Sequence, residues 1–386
     1  MPRPSAAIQA MPRSGIREIM DLAWATPDVI HLEVGEPNSP TPRHVIEAAD
    51  RAAWAGYTKY TPNAGLPQLR EALVEKLRAR NHIDARPGQV IVTHGAVEAL
   101  YTSLLALVEP RDEILLPDPG WPNYRMMTTL TRTEARYYPL TQAGRYLPQI
   151  GDLERLVGSR TKVLLLNSPS NPLGAIIPEA RMRELLAFAA EHDLWVVSDE
   201  CYDEIVFDSS FVSAAALAEE ERVVSVFSFS KTYAMTGWRV GYAVVPEPLA
   251  LELTKLQEPV ISCVNGPAQM AALAAVTGPQ DYVHEMTAQY RARRDQVLDV
   301  LAPTDLRAFK PSGAFYLWVD VTACRSSSEE FATTLIREHG VSVVPGTAFG
   351  PSGEGAVRLS LATSSDLLLE GVQRMSKAAR RLSTAS

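Results

Sequence analysis

Ser228, Ser230, Lys231 and Arg239 stand close together in SFSKTYAMTGWRVGY, directly after the apolar run VVSVF at 223–227. That run reads as a buried parallel strand, so Lys231 is badly placed for a solvated surface charge. A lysine that is desolvated, or set beside another cation, loses its proton more easily, and its neutral amine forms a Schiff base with an aldehyde. One guanidinium and two hydroxyls beside such an amine suit a phosphate monoester that also carries an aldehyde. Pyridoxal phosphate is such a molecule. A lysine after a strand can equally be a plain edge or loop residue, and this stretch alone does not separate the two.

Other stretches bear on the choice. Thr93-His94-Gly95-Ala96-Val97 joins a strand to a helix, and small residues there let backbone N–H groups and the helix dipole face an anion. A glycine before a helix is also an ordinary turn. Asp199 follows an apolar run, with Tyr202 three residues on. A carboxylate paired with a pyridine nitrogen keeps it protonated and lets the ring accept electrons, although an isolated aspartate at a strand end is more often a surface acid. Tyr202 and Asn171 can both hydrogen-bond a phenolate oxygen, but Asn171, in NSPSNPLG, also fits a plain turn. Trp121, in PDPGWPNY, can stack on a flat ring or anchor a loop. Arg358, in AVRLSLA, offers a bidentate grip on a carboxylate if it points inward and is a water-facing strand residue otherwise.

The elements that must position these residues alternate. Apolar runs at 90–93, 113–116, 163–166, 194–198, 223–227 and 240–244 are separated by helical patterns, clearest at 96–108, 178–191 and 247–257. This predicts a largely parallel sheet covered on both faces, with ligands at the carboxyl ends of its strands. Upstream, 1–13 reads as an extended arm, and a helix is expected from Ser14 as N-cap, followed by a strand in HLEVGEPNSPTP and helices at 43–55 and 67–81. A long helix at 279–302 reads as a bridge to strands at 313–319, 341–344 and 357–361, a helix at 328–339 and a final helix. The expected organisation is an arm and part of a small domain at 1–42, a large domain at 43–285 and a C-terminal small domain at 286–386.

Composition narrows the function. The 386 residues are 46% hydrophobic and 21% charged, with a net charge of −8 and no basic patch, which argues against a general nucleic-acid binder. No apolar stretch approaches a membrane span, and MPRPSAAIQAMPRSG lacks the apolar core of a signal peptide. Cys201, Cys263 and Cys324 are far apart and fit no metal spacing, so reduced thiols in the cytoplasm are expected.

KYTPNAGLPQLREAL, GAVEAL, SNPLG, DECY, SFSKTYAMTGWRVGY and VRLSLA, following one another in this order along the chain, together resemble the class I/II aminotransferases, the fold-type I pyridoxal phosphate enzymes related to aspartate aminotransferase. The resemblance implies an α/β fold: a mostly parallel sheet of the seven-stranded type between helices, plus a smaller α+β domain formed by both chain ends. It implies that Lys231 is the Schiff-base lysine and proton shuttle, that Asp199 partners the pyridine nitrogen, and that Asn171 and Tyr202 partner the ring oxygen. Trp121 would stack on the ring, and Ala96, Val97, Ser228, Ser230 and Arg239 would hold the phosphate. Arg358 and Gly35 would hold the substrate carboxylate. Tyr60 would reach the phosphate of the neighbouring subunit, which implies a homodimer with shared active sites. Asp118–Pro119 and Asn171–Pro172 are expected to be cis.

Two positions depart from the family pattern. Leu173 replaces the usual threonine of the NPTG motif, which should be tolerable because the Asn171 amide does the work. Val97 stands where some bacterial relatives that take aspartate carry a lysine, so the expected substrates are neutral or aromatic L-amino acids and 2-oxo acids. Ile16, Val97 and the partner's Asn265 are candidates to face the substrate side chain, each equally readable as packing. β-Elimination from cysteine conjugates, or another reaction begun by loss of the same Cα proton, is not separated from transamination by these motifs. A non-catalytic sensor is a more remote reading, because such proteins add a DNA-binding domain.

Overall fold

Uninterrupted apolar runs become strands buried on both faces, since helices cover both sides of the sheet they build. The computed structural model describes residues 2–384 and begins its strands with a short β1 (Ile30–His31). There follow β2 (Val90–Thr93), β3 (Glu113–Asp118), β4 (Glu134–Pro139), β5 (Thr161–Asn167), β6 (Trp195–Asp199), β7 (Val223–Ser228) and β8 (Gly241–Val244). These seven form one sheet in the order β2-β8-β7-β6-β5-β3-β4. All its pairings are parallel except those of β8, which runs against both β2 and β7. β2, β3, β7 and β8 are buried at every position, whereas the edge strand β4 begins with alternating exposed and half-buried residues.

A second sheet is antiparallel. It comprises β9 (Arg307–Phe309), β10 (Tyr316–Asp320), β12 (Val344–Pro345) and β13 (Ala356–Ser360), in the order β12-β13-β10-β9. Between them β11 (Val341–Ser342) pairs in parallel with β1, so the two ends of the chain are joined. Helix Gly15–Trp24 packs on helix Ser328–His339 from the C-terminal part. Helix Asp281–Leu301 lies where the bridge was expected and packs on the C-terminal helix.

Several expectations need correction. Residues 1–13 are not wholly extended: Ala6–Ala10 is a short helix whose N-cap, Ser5, accepts from the Ile8 N–H. Ser14 is an N-cap by position but makes no side-chain capping bond. The strand expected from Gly313 begins only at Tyr316, because Ala314 at φ +55 interrupts the extended backbone. The helix expected over 67–81 is α-helical to Lys76 and then widens into a π-turn, Leu77–Asn81, closed by left-handed His82. The peptides before Pro119 and Pro172 are cis as expected, and so is the one before Pro169. Among the described residues no helix is long and apolar enough to cross a membrane.

Candidate active site

The sheet brings polar strand ends to one edge. β5, β6 and β7 close on Asn167, Asp199 and Ser228, and the pairing sets Asn167 opposite Asp199 and Ser228 opposite Gly241 at the start of β8. A cavity of about 220 Å³ opens there. Ile16, Gly35, Ala96, Val97, Trp121, Asn171, Asp199, Tyr202, Ser228, Ser230, Lys231, Arg239 and Arg358 all line it. Tyr60 does not, being 90% exposed on the surface. Asn265 caps helix Gly266–Thr277 by accepting from the Ala268 N–H at 2.9 Å, and lines a neighbouring open hollow with His94 and Arg239.

Lys231 lies just beyond β7 in the helical turn Phe229–Thr232. Its Nζ donates to the Gly35 carbonyl at 2.6 Å. Burial pushes this ammonium down to about 8, with Arg239 and Arg358 acting in the same direction and Cys201 and Glu36 opposing them.

At one end of the cavity, helix Ala96–Leu107 presents its first N–H groups, which have no intrahelical acceptor. Its N-cap Gly95 adopts φ +76, and a Cβ there would lie 2.5 Å from Arg239 Nη2. Gly241 is equally constrained, since a Cβ would come within 2.6 Å of the Ala96 nitrogen. Glycines thus let the β8 backbone and the Arg239 side chain close on the helix start. The Ser228 hydroxyl accepts from the Ser230 N–H at 3.1 Å, and Arg239 Nη1 donates to the Thr236 carbonyl at 2.6 Å.

In the middle, Asp199 is buried. Its Oδ2 accepts from the Tyr124 hydroxyl at 2.7 Å and its Oδ1 from the Cys201 N–H at 3.2 Å. Burial raises its pKa, and the Cys201 and Tyr124 hydrogen bonds pull against that rise. Trp121 meets Tyr124 edge to face, with ring centroids 5.5 Å apart. The Tyr202 and Tyr316 hydroxyls are 3.0 Å apart.

At the far end, Arg358 is 2% exposed. Its Nη1 donates to Asn171 Oδ1 at 3.0 Å and its Nη2 to the Glu33 carbonyl at 2.5 Å, while Nε is buried without a partner. Among the described residues neither Arg239 nor Arg358 has a carboxylate within ion-pair distance. Leu173 is fully buried in an apolar cluster and contributes nothing to this wall.

Asn167, Tyr124, Cys201 and Tyr316 also line the cavity, although none of them was expected at the site from sequence. Tyr124 had one signal, its place one helical turn after Trp121 at a helix start. The sequence model "Aminotransferase class I and II" matches residues 27–375. The chain belongs to that family. Like the relatives named below, it is an aminotransferase, a pyridoxal-phosphate-dependent transferase.

Over 369 residues the chain is 36% identical to an aspartate aminotransferase of Pyrococcus horikoshii, covering 95% of this chain and 94% of that one. It is also 36% identical to aromatic-amino-acid aminotransferase 2 of Thermococcus litoralis, covering 94% and 95%. Among solved structures, aspartate aminotransferase from Thermus thermophilus with maleate superposes with a TM-score of 0.94 at 35% identity, over 98% of this chain and all of that one.

Proposed function

We propose that this aminotransferase moves the amino group of a neutral or aromatic L-amino acid to a 2-oxo acid, using pyridoxal phosphate joined to Lys231. One observation carries the reading: a lysine with a depressed pKa shares the cavity with two guanidiniums that, among the described residues, have no carboxylate partner. A buried cation left without an anion is costly, so Arg358, with its orphaned Nε, calls for an anionic ligand. The helix start beside Arg239, kept open by Gly95 and Gly241, suits a phosphate. Asp199, raised by burial, favours a cation such as a protonated pyridine nitrogen. Two anion sites flank an amine, and a carboxylate lies between them. That set fits the cofactor and the carboxylate of an amino acid.

When bound, pyridoxal phosphate supplies an aldehyde for the amine and an electron sink for the charge left at Cα. This chain's residues do the rest. Arg358 and Asn171 hold the substrate carboxylate and fix the orientation of Cα. Lys231 Nζ, poised near neutrality and oriented by the Gly35 carbonyl, takes the Cα proton and returns it. Asp199 holds its charge against burial with the help of Tyr124, and the Tyr202 hydroxyl would donate to the cofactor's ring oxygen.

Substrate class follows from what is left over. With Arg239 and Arg358 engaged, Ile16 and Val97 offer no cation to a second carboxylate, so this chain's part of the wall suits neutral or aromatic side chains. Homodimerisation, with Tyr60 reaching the partner's phosphate, is part of the proposal and accords with its exposure. The test is a half-reaction screen of the loaded enzyme against single amino acids. Formation of a 2-oxo acid with aminated cofactor, fastest for neutral or aromatic substrates, supports the reading. Release of thiol or ammonia would replace it with β-elimination, and a preference for aspartate would overturn the assigned specificity.

A further inference from the structure

Tyr316 has a set of contacts that packing does not require. It is 2% exposed, on β10, whose pairing with β13 sets Tyr316 opposite Ser360 and Trp318 opposite Arg358. Tyr316 and Arg358 are therefore diagonal neighbours on adjacent strands, within reach of long side chains. The Arg358 guanidinium sits 4.3 Å from the centroid of the Tyr316 ring. At its other end the Tyr316 hydroxyl lies 3.0 Å from that of Tyr202. Gly35 makes room for it, since a Cβ there would come 2.6 Å from the Tyr316 oxygen, and the Gly35 carbonyl is the one that Lys231 Nζ holds.

We propose that Tyr316 is a positioning residue, which directs the Tyr202 proton at the cofactor ring oxygen and seats the Arg358 guanidinium. The inference rests on the pyridoxal phosphate reading above. Hydroxyl bookkeeping supplies the direction. Each tyrosine has one proton to donate. If Tyr202 spends its proton on the ring oxygen, the bond between the two hydroxyls can form only with Tyr316 as donor and Tyr202 as acceptor. Tyr202 then has one orientation instead of two.

Both hydroxyls stay protonated. Burial pushes Tyr202 well above the ordinary range, with Tyr316 adding to the rise, and burial also raises Tyr316, against a smaller opposing pull from Arg358. The same ring supports the cation that grips the carboxylate, so one side chain serves both the middle of the cavity and its far end.

The test compares wild type, Tyr316→Phe, Tyr202→Phe and the double variant, each loaded with pyridoxal phosphate. A weaker hydrogen bond leaves more negative charge on the ring oxygen, which holds the neighbouring proton of the chromophore more tightly. Tyr316→Phe is therefore expected to move the midpoint of the chromophore's pH titration upward by about half a pH unit. In the Tyr202→Phe background the same change should do nothing, because the orienting group has nothing left to orient. KM for the amino acid should change little, since the Phe ring still lies under Arg358.

Gly35→Ala gives a second check should Tyr316→Phe fold poorly, made with and without Tyr202→Phe because the Gly35 carbonyl also meets Lys231 Nζ. Its Cβ displaces the Tyr316 hydroxyl while the ring remains, and the midpoint should move the same way. An unchanged midpoint in Tyr316→Phe, or equal shifts with and without Tyr202, would overturn the role. A wild-type protein that forms no chromophore at Lys231 would instead remove the parent reading.

Discussion

Replacing Tyr124 by phenylalanine removes one hydroxyl and leaves the ring stacked edge to face on Trp121. The hydroxyl donates at 2.7 Å to Asp199 Oδ2, on a carboxylate that also accepts from the Cys201 N–H at 3.2 Å and from the Cys201 thiol. A hydrogen bond to a charged group contributes about 1.5–3 kcal/mol, which corresponds to a rate factor of roughly 10–150 if all of it is felt in the transition state. The Cys201 N–H and thiol and the ring nitrogen remain to share the charge, so the lower part of that range, about 10–30-fold in kcat/KM, is expected. The sign of the pH effect follows from the same bond. Losing a donor raises the Asp199 pKa further, so the ionised form is lost at higher pH and the acid limb of the rate profile moves upward. Single-turnover rates of the loaded enzyme across pH read both effects, with thermal unfolding as a control for folding. A change below about twofold, with an unmoved acid limb, would refute a role for Tyr124 in holding the Asp199 charge.

Other outcomes are equally specific. Gly95→Ala forces a side chain into φ +76 and against Arg239; it should cost about 1–3 kcal/mol of stability and weaken cofactor binding, read by thermal unfolding and by dialysis. Val97→Lys returns a cation to the cavity wall and should raise kcat/KM for aspartate relative to phenylalanine at least about tenfold, read in competition assays. Lys231 in the cofactor-free protein should react with amine-directed reagents at a rate that rises to a plateau above about pH 8, because its neutral form is already dominant there. Continued increase toward pH 10.5, the ordinary lysine value, would contradict the depressed pKa.

The central strands were legible because burial on both faces leaves a continuous apolar run, as in VIVT of β2 and VVSVF of β7. β4 escaped because an edge strand carries charges such as Glu134 and Arg136 and breaks the run. Helix Gly266–Thr277 escaped for the opposite reason: GPAQMAALAAVT packs against helices Arg43–Trp54 and Pro67–Lys76 and has few polar residues to mark a period. Most of the cavity residues were legible only through the set of motifs that resembles one family, since each of them alone, Asp199 and Asn171 included, also had a plain structural reading. Tyr124 and Tyr316 were not, since a buried tyrosine looks the same in sequence whether its hydroxyl meets a carboxylate, another tyrosine or nothing. Only the register of β10 against β13 brings Tyr316 beside Arg358. Tyr60 was picked out for a role across a subunit boundary, and it lies on the surface of its own chain.

The most direct measurement is borohydride reduction of the loaded protein followed by peptide mapping. One pyridoxyl group on Lys231 is predicted, with none on Lys231→Ala. A label on another lysine, or none in the wild-type protein, would contradict the assignment of this cavity.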